Sequence, residues 1–300
     1  MKITNKLNLP QSFVDIATRE YTYKDKQYSV TSILGGIRET ILKRRHYSEL
    51  EQDISEMIWL IFGSAVHSIL EKSNELDCEF KEEHVVIDIG DYKLSGIFDL
   101  YNGKTHTVTD YKTASVWKVI HGDWKDYRTQ LLIYAYMLGE IGFKCNKGEI
   151  IALLKDHSKS KAKFDESYPK VPVHKVTFHF TKEDFEKIEI ELLDKFKEIK
   201  RCEQLSDNEL PICAAKERWN TGDKFAVMKK GKKRALRVLD SEEEAQEYME
   251  TKGGDYIDVR KGEDKKCNEY CSVKEFCSYY NRGQGLEEEL RNFDYRGDKE

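Results

Sequence analysis

The chain has 300 residues, of which 35% are charged and 39% hydrophobic, and a net charge of −5. That balance fits a soluble globular protein of one large domain, or one domain with a small module. The acidic excess argues against a protein that coats nucleic acid indiscriminately, while leaving room for a local basic groove. No apolar run approaches the roughly 20 residues of a membrane span, and no signal-like apolar stretch follows Met1–Lys6. The expected location is therefore the cytoplasm, with no membrane partner. In that reducing compartment the seven cysteines are expected as thiols or metal ligands rather than disulfides.

In chain order, Tyr28-Ser29-Val30-Thr31 predicts a short strand running into a helix capped by Ser29 or Thr31. That helix ends on the basic run Lys43-Arg44-Arg45-His46. A second helix is predicted over about Glu49–Asn74, with Ile54, Met57, Ile58, Ile61, Phe62, Ala65, Val66, Ile69 and Leu70 at helical spacing. Strands follow at Glu83–Ile89, Lys93–Tyr101 and Thr105–Lys112, then an apolar-faced helix at Asp126–Ile141 and a strand at Glu149–Leu154. A strand at Lys175–Phe180 leads into a helix opened by Thr181, Glu183 and Asp184 and running to about Arg201.

Beyond Leu210 the pattern changes. Phe225–Met228 and Arg234–Leu239 read as a hairpin with a basic tip, Lys229-Lys230-Gly231-Lys232-Lys233. Ser241-Glu242-Glu243-Glu244 opens a short helix, and Asp255–Val259 reads as a third strand. The order of elements suggests an α/β or α+β fold built on a mixed sheet. Three regions are expected: a core over residues 1–206, a small βαβ-like module over 207–266, and a cysteine-containing tail over 267–300 that packs back on the core and frays from Gly283 onward.

The chemistry concentrates between residues 63 and 134. Asp110 and Lys112 are two apart on a predicted strand and so face the same side. A carboxylate beside an ammonium suits phosphodiester hydrolysis: the acid holds a divalent metal, and the lysine orients water and offsets charge on the phosphate. Asp99 interrupts the apolar strand Gly96-Ile97-Phe98-Asp99-Leu100, where an unpartnered buried carboxylate would be costly. Two strand acids joined by a short turn can converge on one Mg²⁺ or Mn²⁺. His67 follows Gly63 by one helical turn, and Gln130 and Tyr134 share a helix face.

Taken together, Gly63-x3-His67, Gly96-x2-Asp99, Asp110-x-Lys112 and Gln130-x3-Tyr134 resemble the RecB-like branch of the PD-(D/E)XK nuclease superfamily. That branch contains the nuclease domains of RecB and AddB, nucleases of CRISPR adaptation and many phage exonucleases. The resemblance spans about residues 28–155 and implies a restriction-endonuclease-like core, a central mixed sheet flanked by helices, with a small αβ insertion. It implies that His67, Asp99, Asp110 and the backbone carbonyl of Tyr111 hold Mg²⁺ or Mn²⁺. Lys112 would activate water, while Gln130 and Tyr134 would support the site and the DNA strand. The implied activity is that of a metal-dependent deoxyribonuclease, an exonuclease or end-processing enzyme of recombination, repair or phage DNA metabolism. DNA is then a partner, with a recombination or single-strand-binding protein as a further one. The alternative is a DNA-binding scaffold that keeps the fold without turnover.

Cys267-x3-Cys271-x5-Cys277 resembles the downstream trio of relatives whose four cysteines hold a four-iron, four-sulfur cluster. Here no cysteine precedes residue 78, so the fourth ligand would be Cys213 or Cys202, and four thiolates suit Zn²⁺ as well. Lys229, Lys230, Lys232, Lys233 and Arg234 are candidates for phosphate contacts. Register supplies a last constraint. A tight Asn102-Gly103 turn would set Asp110 opposite Ser95, about 13 Å along the strand from Asp99. A loop of residues 103–106 pairs Asn102 with Thr107 and sets Asp99 opposite Asp110, as a shared metal requires.

Overall fold

A computed structural model describes residues 1–18, 22–74 and 76–282. The chain divides into two compact units, the first of residues 1–204 and the second beginning at Leu205. In the first, β1 (Lys2–Thr4) and α1 (Gln11–Ala17) precede β2 (Gln27–Ser29), α2 (Val30–Ile33), α3 (Ile37–Arg45) and β3 (Glu51–Asp53). A single turn of 3-10 helix, Ile54–Met57, leads into α4 (Ile58–Glu71), followed by β4 (Glu79–Ile89), β5 (Tyr92–Asn102) and β6 (Thr107–Ala114). Then come α5 (Val116–His121), α6 (Lys125–Glu140), β7 (Lys147–Leu154), α7 (Lys159–Phe164), β8 (Val173–His179) and α8 (Lys182–Glu203).

Local chemistry sets several of these boundaries. Ser29, rather than Thr31, caps α2 by accepting the Ser32 amide. Thr181 and Asp184 form a reciprocal capping box at the start of α8. Along α8, Ile188, Leu192, Phe196, Ile199 and Cys202 are buried at helical spacing. Its last residue, Glu203, takes hydrogen bonds from Tyr28 (2.6 Å) and Tyr92 (2.5 Å), tying the helix end to two strands. The predicted helix over Glu49–Asn74 begins later than expected. Glu51–Asp53 pair in parallel with β1, and Asp53 takes the Ser55 amide to start the turn. No residue of α4 is fully buried; Trp59, Leu60, Phe62 and Ile69 stand exposed. By length and composition Ile54–Glu71 would suffice to cross a membrane, which corrects the expectation that no segment approaches this.

The main sheet has six strands and is mixed, in the order β2-β5-β6-β7-β8 with β4 paired to β5. β4 lines one edge of β5 from end to end, antiparallel. The other edge of β5 is shared. Residues 100–102 pair antiparallel with β6, and residues 93–95 pair in parallel with β2. The β5–β6 connection takes the wider loop, with Asn102 opposite Thr107. The reason is visible in the turn itself: the Asn102 side chain accepts the Lys104 and Thr105 amides, each at 3.0 Å. His106 then closes the loop at φ +52°, a left-handed conformation that non-glycine residues adopt sparingly. The central mixed sheet flanked by helices is that of a restriction-endonuclease-like core.

In the second unit, β9 (Lys224–Met228) is flanked by β10 (Arg237–Leu239) and β11 (Tyr256–Arg260), both antiparallel to it. Helix α9 (Glu242–Lys252), capped by Ser241, packs Ala245 inward. The expected fraying of the tail from Gly283 onward lies outside the described residues.

Gly96 sits where β5 changes partner. A Cβ there would lie 2.6 Å from Cε1 of Tyr134 and 3.0 Å from Cγ2 of Val30. Gly96→Ala is therefore expected to overpack the core, at a cost of about 1–3 kcal/mol, and to lower the thermal midpoint by several degrees. An unchanged midpoint in a thermal unfolding scan would show that the two neighbours yield without strain.

Candidate active site

Beyond Leu100 and Thr109 the β5–β6 ladder stops, and the strands part with Asp99 and Asp110 at the mouth of the gap. Both carboxylates are buried. Asp99 faces the backbone of β6, where its Oδ2 accepts the Tyr111 amide at 2.5 Å. A backbone N–H left without a strand partner is thus satisfied by an acid. The N–H and C=O of one strand residue point to the same edge, so the Tyr111 carbonyl faces this gap too.

On the same face of β6, Lys112 Nζ lies 2.5 Å from Asp110 Oδ2. Gln130 on α6 donates to Asp110 Oδ1 at 3.4 Å, and Tyr134, one turn along, is buried beside Gly96. Tyr134 thus packs beneath the strand that carries Asp99. The Lys112 contact with Oδ2 is a charge contact without hydrogen-bond alignment, since Oδ2 is a buried oxygen with no hydrogen-bond partner. Burial pushes the Asp110 carboxyl above the usual carboxylate range, Lys112 pulls it back, and the Asp99 charge adds to the rise.

The third element is α4. Gly63 lies over β6, its missing Cβ 3.7 Å from Thr113 Oγ1, and this close approach brings His67, one turn later, down to the acids. His67 Nδ1 is 3.2 Å from Asp99 Oδ1 and 3.5 Å from Glu82 Oε1. Ligand atoms of His67, Glu82 and Asp99 all lie within 4.8 Å of one another. Asp110, expected in the same ligand set, adjoins this trio through its charge and is engaged by Lys112.

Glu82 was missed in sequence because its strand was predicted to start one residue later, at Glu83. It lies opposite Asp99 across the β4–β5 pair, where the ladder skips one register position, and its φ is +48°. An acid facing a second acid across two strands is the signal that a correct strand boundary would have given.

The remaining candidates, Cys202 apart, belong to the second unit. Lys229, Lys230, Lys232, Lys233 and Arg234 are exposed between β9 and β10 of the second unit. Cys213, Cys267, Cys271 and Cys277 also belong to that unit. Burial pushes the Cys267 thiol up to about 11, with smaller contributions from Asp264, Cys271, Cys213 and Cys277 nearby. Cys202 is buried in α8, bonded to Glu198.

The hydrogen bond to Asp99 raises His67 to about 9, above the roughly 6.5 of a free imidazole. A raised folded-state value means that the charged form stabilises the fold. That contribution is complete below about pH 6.5 and is lost as pH rises through about 9. In chelator, the thermal midpoint is expected to fall across this window, and His67→Gln should flatten the fall. A wild-type protein and variant with parallel profiles would remove His67 from this role.

Comparison with known proteins completes the site. Residues 39–278 match the PD-(D/E)XK nuclease superfamily, a span that holds every residue of the parted-strand site. Among solved structures, that of SSO0001 is similar at 16% identity and a TM-score of 0.45, covering 65% of this chain and 84% of that one. A phage-related exonuclease from Haemophilus somnus 129PT is similar at 10% identity and a TM-score of 0.29, covering 63% and 76%. Among curated proteins nothing matches. With Asp99, Asp110 and Lys112 gathered where β5 leaves β6, and with four-fifths of its length matching, the chain belongs to the PD-(D/E)XK nuclease superfamily.

Proposed function

We propose that the chain is a divalent-metal-dependent deoxyribonuclease that trims DNA from an end, in recombination, repair or phage DNA metabolism. The observation that carries this reading is the meeting of the Asp110–Lys112 pair with the His67, Glu82 and Asp99 cluster at one gap in the sheet. The residues fit a metal. Three donor side chains converge within 4.8 Å, and the Asp110 oxygen beside them is buried without a hydrogen-bond partner. Carboxylate oxygens with one imidazole suit Mg²⁺ or Mn²⁺.

In this reading His67, Glu82 and Asp99 hold the ion, with Asp110 and the Tyr111 carbonyl beside them. The bound ion supplies charge for the phosphoryl oxygens and acidifies water. The chain's own groups do the positioning. Tyr111 N–H fixes the Asp99 carboxylate, and Gln130 fixes Asp110. Lys112 Nζ, held at Asp110, presents a cation and a proton donor where negative charge builds on the phosphate. His67 would have to be neutral to hold an ion, so binding there would compete with the proton that Asp99 stabilises on the ring. Lys229, Lys230, Lys232, Lys233 and Arg234 supply phosphate contacts from the second unit.

Asp110→Asn and Lys112→Ala should each lower cleavage of end-labelled linear DNA in Mn²⁺ by about a thousandfold or more, with unfolding midpoints near wild type. Circular DNA should resist the wild-type enzyme. A variant of either residue that cleaves at near wild-type rate would falsify the assignment, and rapid loss of circles would replace end-trimming by internal cleavage.

The second unit carries its own metal in this reading, a four-iron, four-sulfur cluster or Zn²⁺ on Cys213, Cys267, Cys271 and Cys277. A polar network ties their segments together. Arg218 donates to the Cys213 carbonyl at 2.9 Å and pairs with Asp264 at 2.5 Å, and Tyr279 donates to the same carboxylate at 2.8 Å. Anaerobically purified protein should contain about four iron atoms or one zinc per chain, and Cys271→Ser should lose them. Neither metal in elemental analysis of the wild type would remove this second site.

A further inference from the structure

On the unit that carries the His67, Glu82 and Asp99 cluster, two tryptophan rings stand exposed, Trp59 beside a lysine and Trp117 against a histidine. Trp117 on α5 is 62% exposed and stacks on His121, with ring centroids 5.7 Å apart and planes at 24°. Trp59 on α4 is also 62% exposed, and Lys155 Nζ lies 3.9 Å from its ring centre. Lys118 lies 4.7 Å from the Tyr127 ring, which Lys112 approaches at 5.5 Å, so α5 brings a second cation beside the Asp110–Lys112 pair.

The fold holds these groups together. Lys155 donates its amide to the Ala114 carbonyl at the end of β6. The next residue, Asp156, accepts from Ser115 Oγ and the Val116 amide, both at 2.7 Å, which pins the start of α5 to the end of β7. Its charge is therefore taken up by α5. Trp59, Gly63 and His67 repeat every four residues along one face of α4, so Trp59 and His67 are about 12 Å apart along the helix axis at 1.5 Å per residue. Contiguous exposed apolar surface commonly marks a binding site, and Trp59 stands with the exposed Leu60 and Phe62. Flat rings interleaved with cations match one chemistry: unpaired bases, which stack, and the phosphates between them, which pair with lysines. The bases of an intact duplex are stacked on one another and cannot reach such rings.

Resting on the nuclease reading above, we infer that this surface is a binding track for single-stranded DNA. Trp59 and Trp117 stack on bases, and Lys118 and Lys155 contact phosphates, so that an unpaired strand is led to the metal site.

The test is equilibrium binding of a fluorescein-labelled thymidine oligonucleotide and of a duplex of equal length to the full chain in EDTA, where turnover is stopped and binding alone is read. The Trp59→Ala, Trp117→Ala double variant should lose about a hundredfold in affinity for the single strand, as expected from about tenfold per ring. Duplex affinity should stay within about twofold, and the salt slope should not change. Phe at both positions should restore most of the loss, which separates stacking from misfolding. Lys118→Ala, Lys155→Ala should instead flatten the salt dependence by about one unit. Equal losses on both substrates, or none, would overturn the track while leaving the nuclease reading intact. A wild type that binds single strands through these rings yet cleaves nothing in Mn²⁺ would overturn the nuclease reading and leave the track.

Discussion

One edge of a strand can hydrogen-bond to one partner at a time, and the candidate site depends on how β5 divides its edge. Its C-terminal residues pair with β6 and its N-terminal ones with β2, leaving Gly96–Asp99 between the two. On the β6 side the Tyr111 amide would then be orphaned, and a buried orphan amide costs about 1–3 kcal/mol. Asp99 satisfies it. The acid that a buried strand would otherwise exclude is therefore held in place by the backbone it faces, and a gap lined by carboxylates opens within a well-packed sheet.

The surroundings of that gap follow from filling it. Tyr134 and Val30 press on Gly96 from α6 and α2, so even a methyl group there would force a neighbour to shift. The helix that carries Tyr134 also carries Gln130, which reaches Asp110. From the opposite side Gly63 lets α4 settle on β6, and His67 descends to Asp99 and Glu82. Each glycine at the site thus marks an approach that places a polar group one turn away. Burying this many acids side by side raises the proton affinity of Asp110 and Glu82; a divalent cation is the species that relieves such a cluster without neutralising it.

α4 joins this centre to the outside. It brings His67 to the acids, while Trp59, Leu60, Phe62 and Ile69 of the same helix stand in solvent. A helix apolar on both sides normally lies in a core. Here Gly63 lets the helix approach β6 while much of its apolar surface stays in solvent, and Trp59 with Lys155 has the composition of a surface for bases and phosphates rather than for another protein core.

Much of this was legible in sequence because local spacing carries it. The two-residue step from Asp110 to Lys112 fixes a common face on any strand, Gln130 and Tyr134 share a helix face by periodicity, and the Thr181–Asp184 cap marks the start of α8. The wider loop after Asn102 followed from requiring two carboxylates to face each other. Other features were decided by tertiary structure. Glu82 became part of the cluster only because β4 lies antiparallel on β5 with Asp99 across from it, a pairing between residues 17 apart that no local pattern encodes. Glu49–Asn74 looked like one helix because apolar spacing cannot register that Glu51–Asp53 would find a strand partner in β1. The exposure of α4 was likewise hidden, since periodicity tells which residues share a face but not what, if anything, covers it.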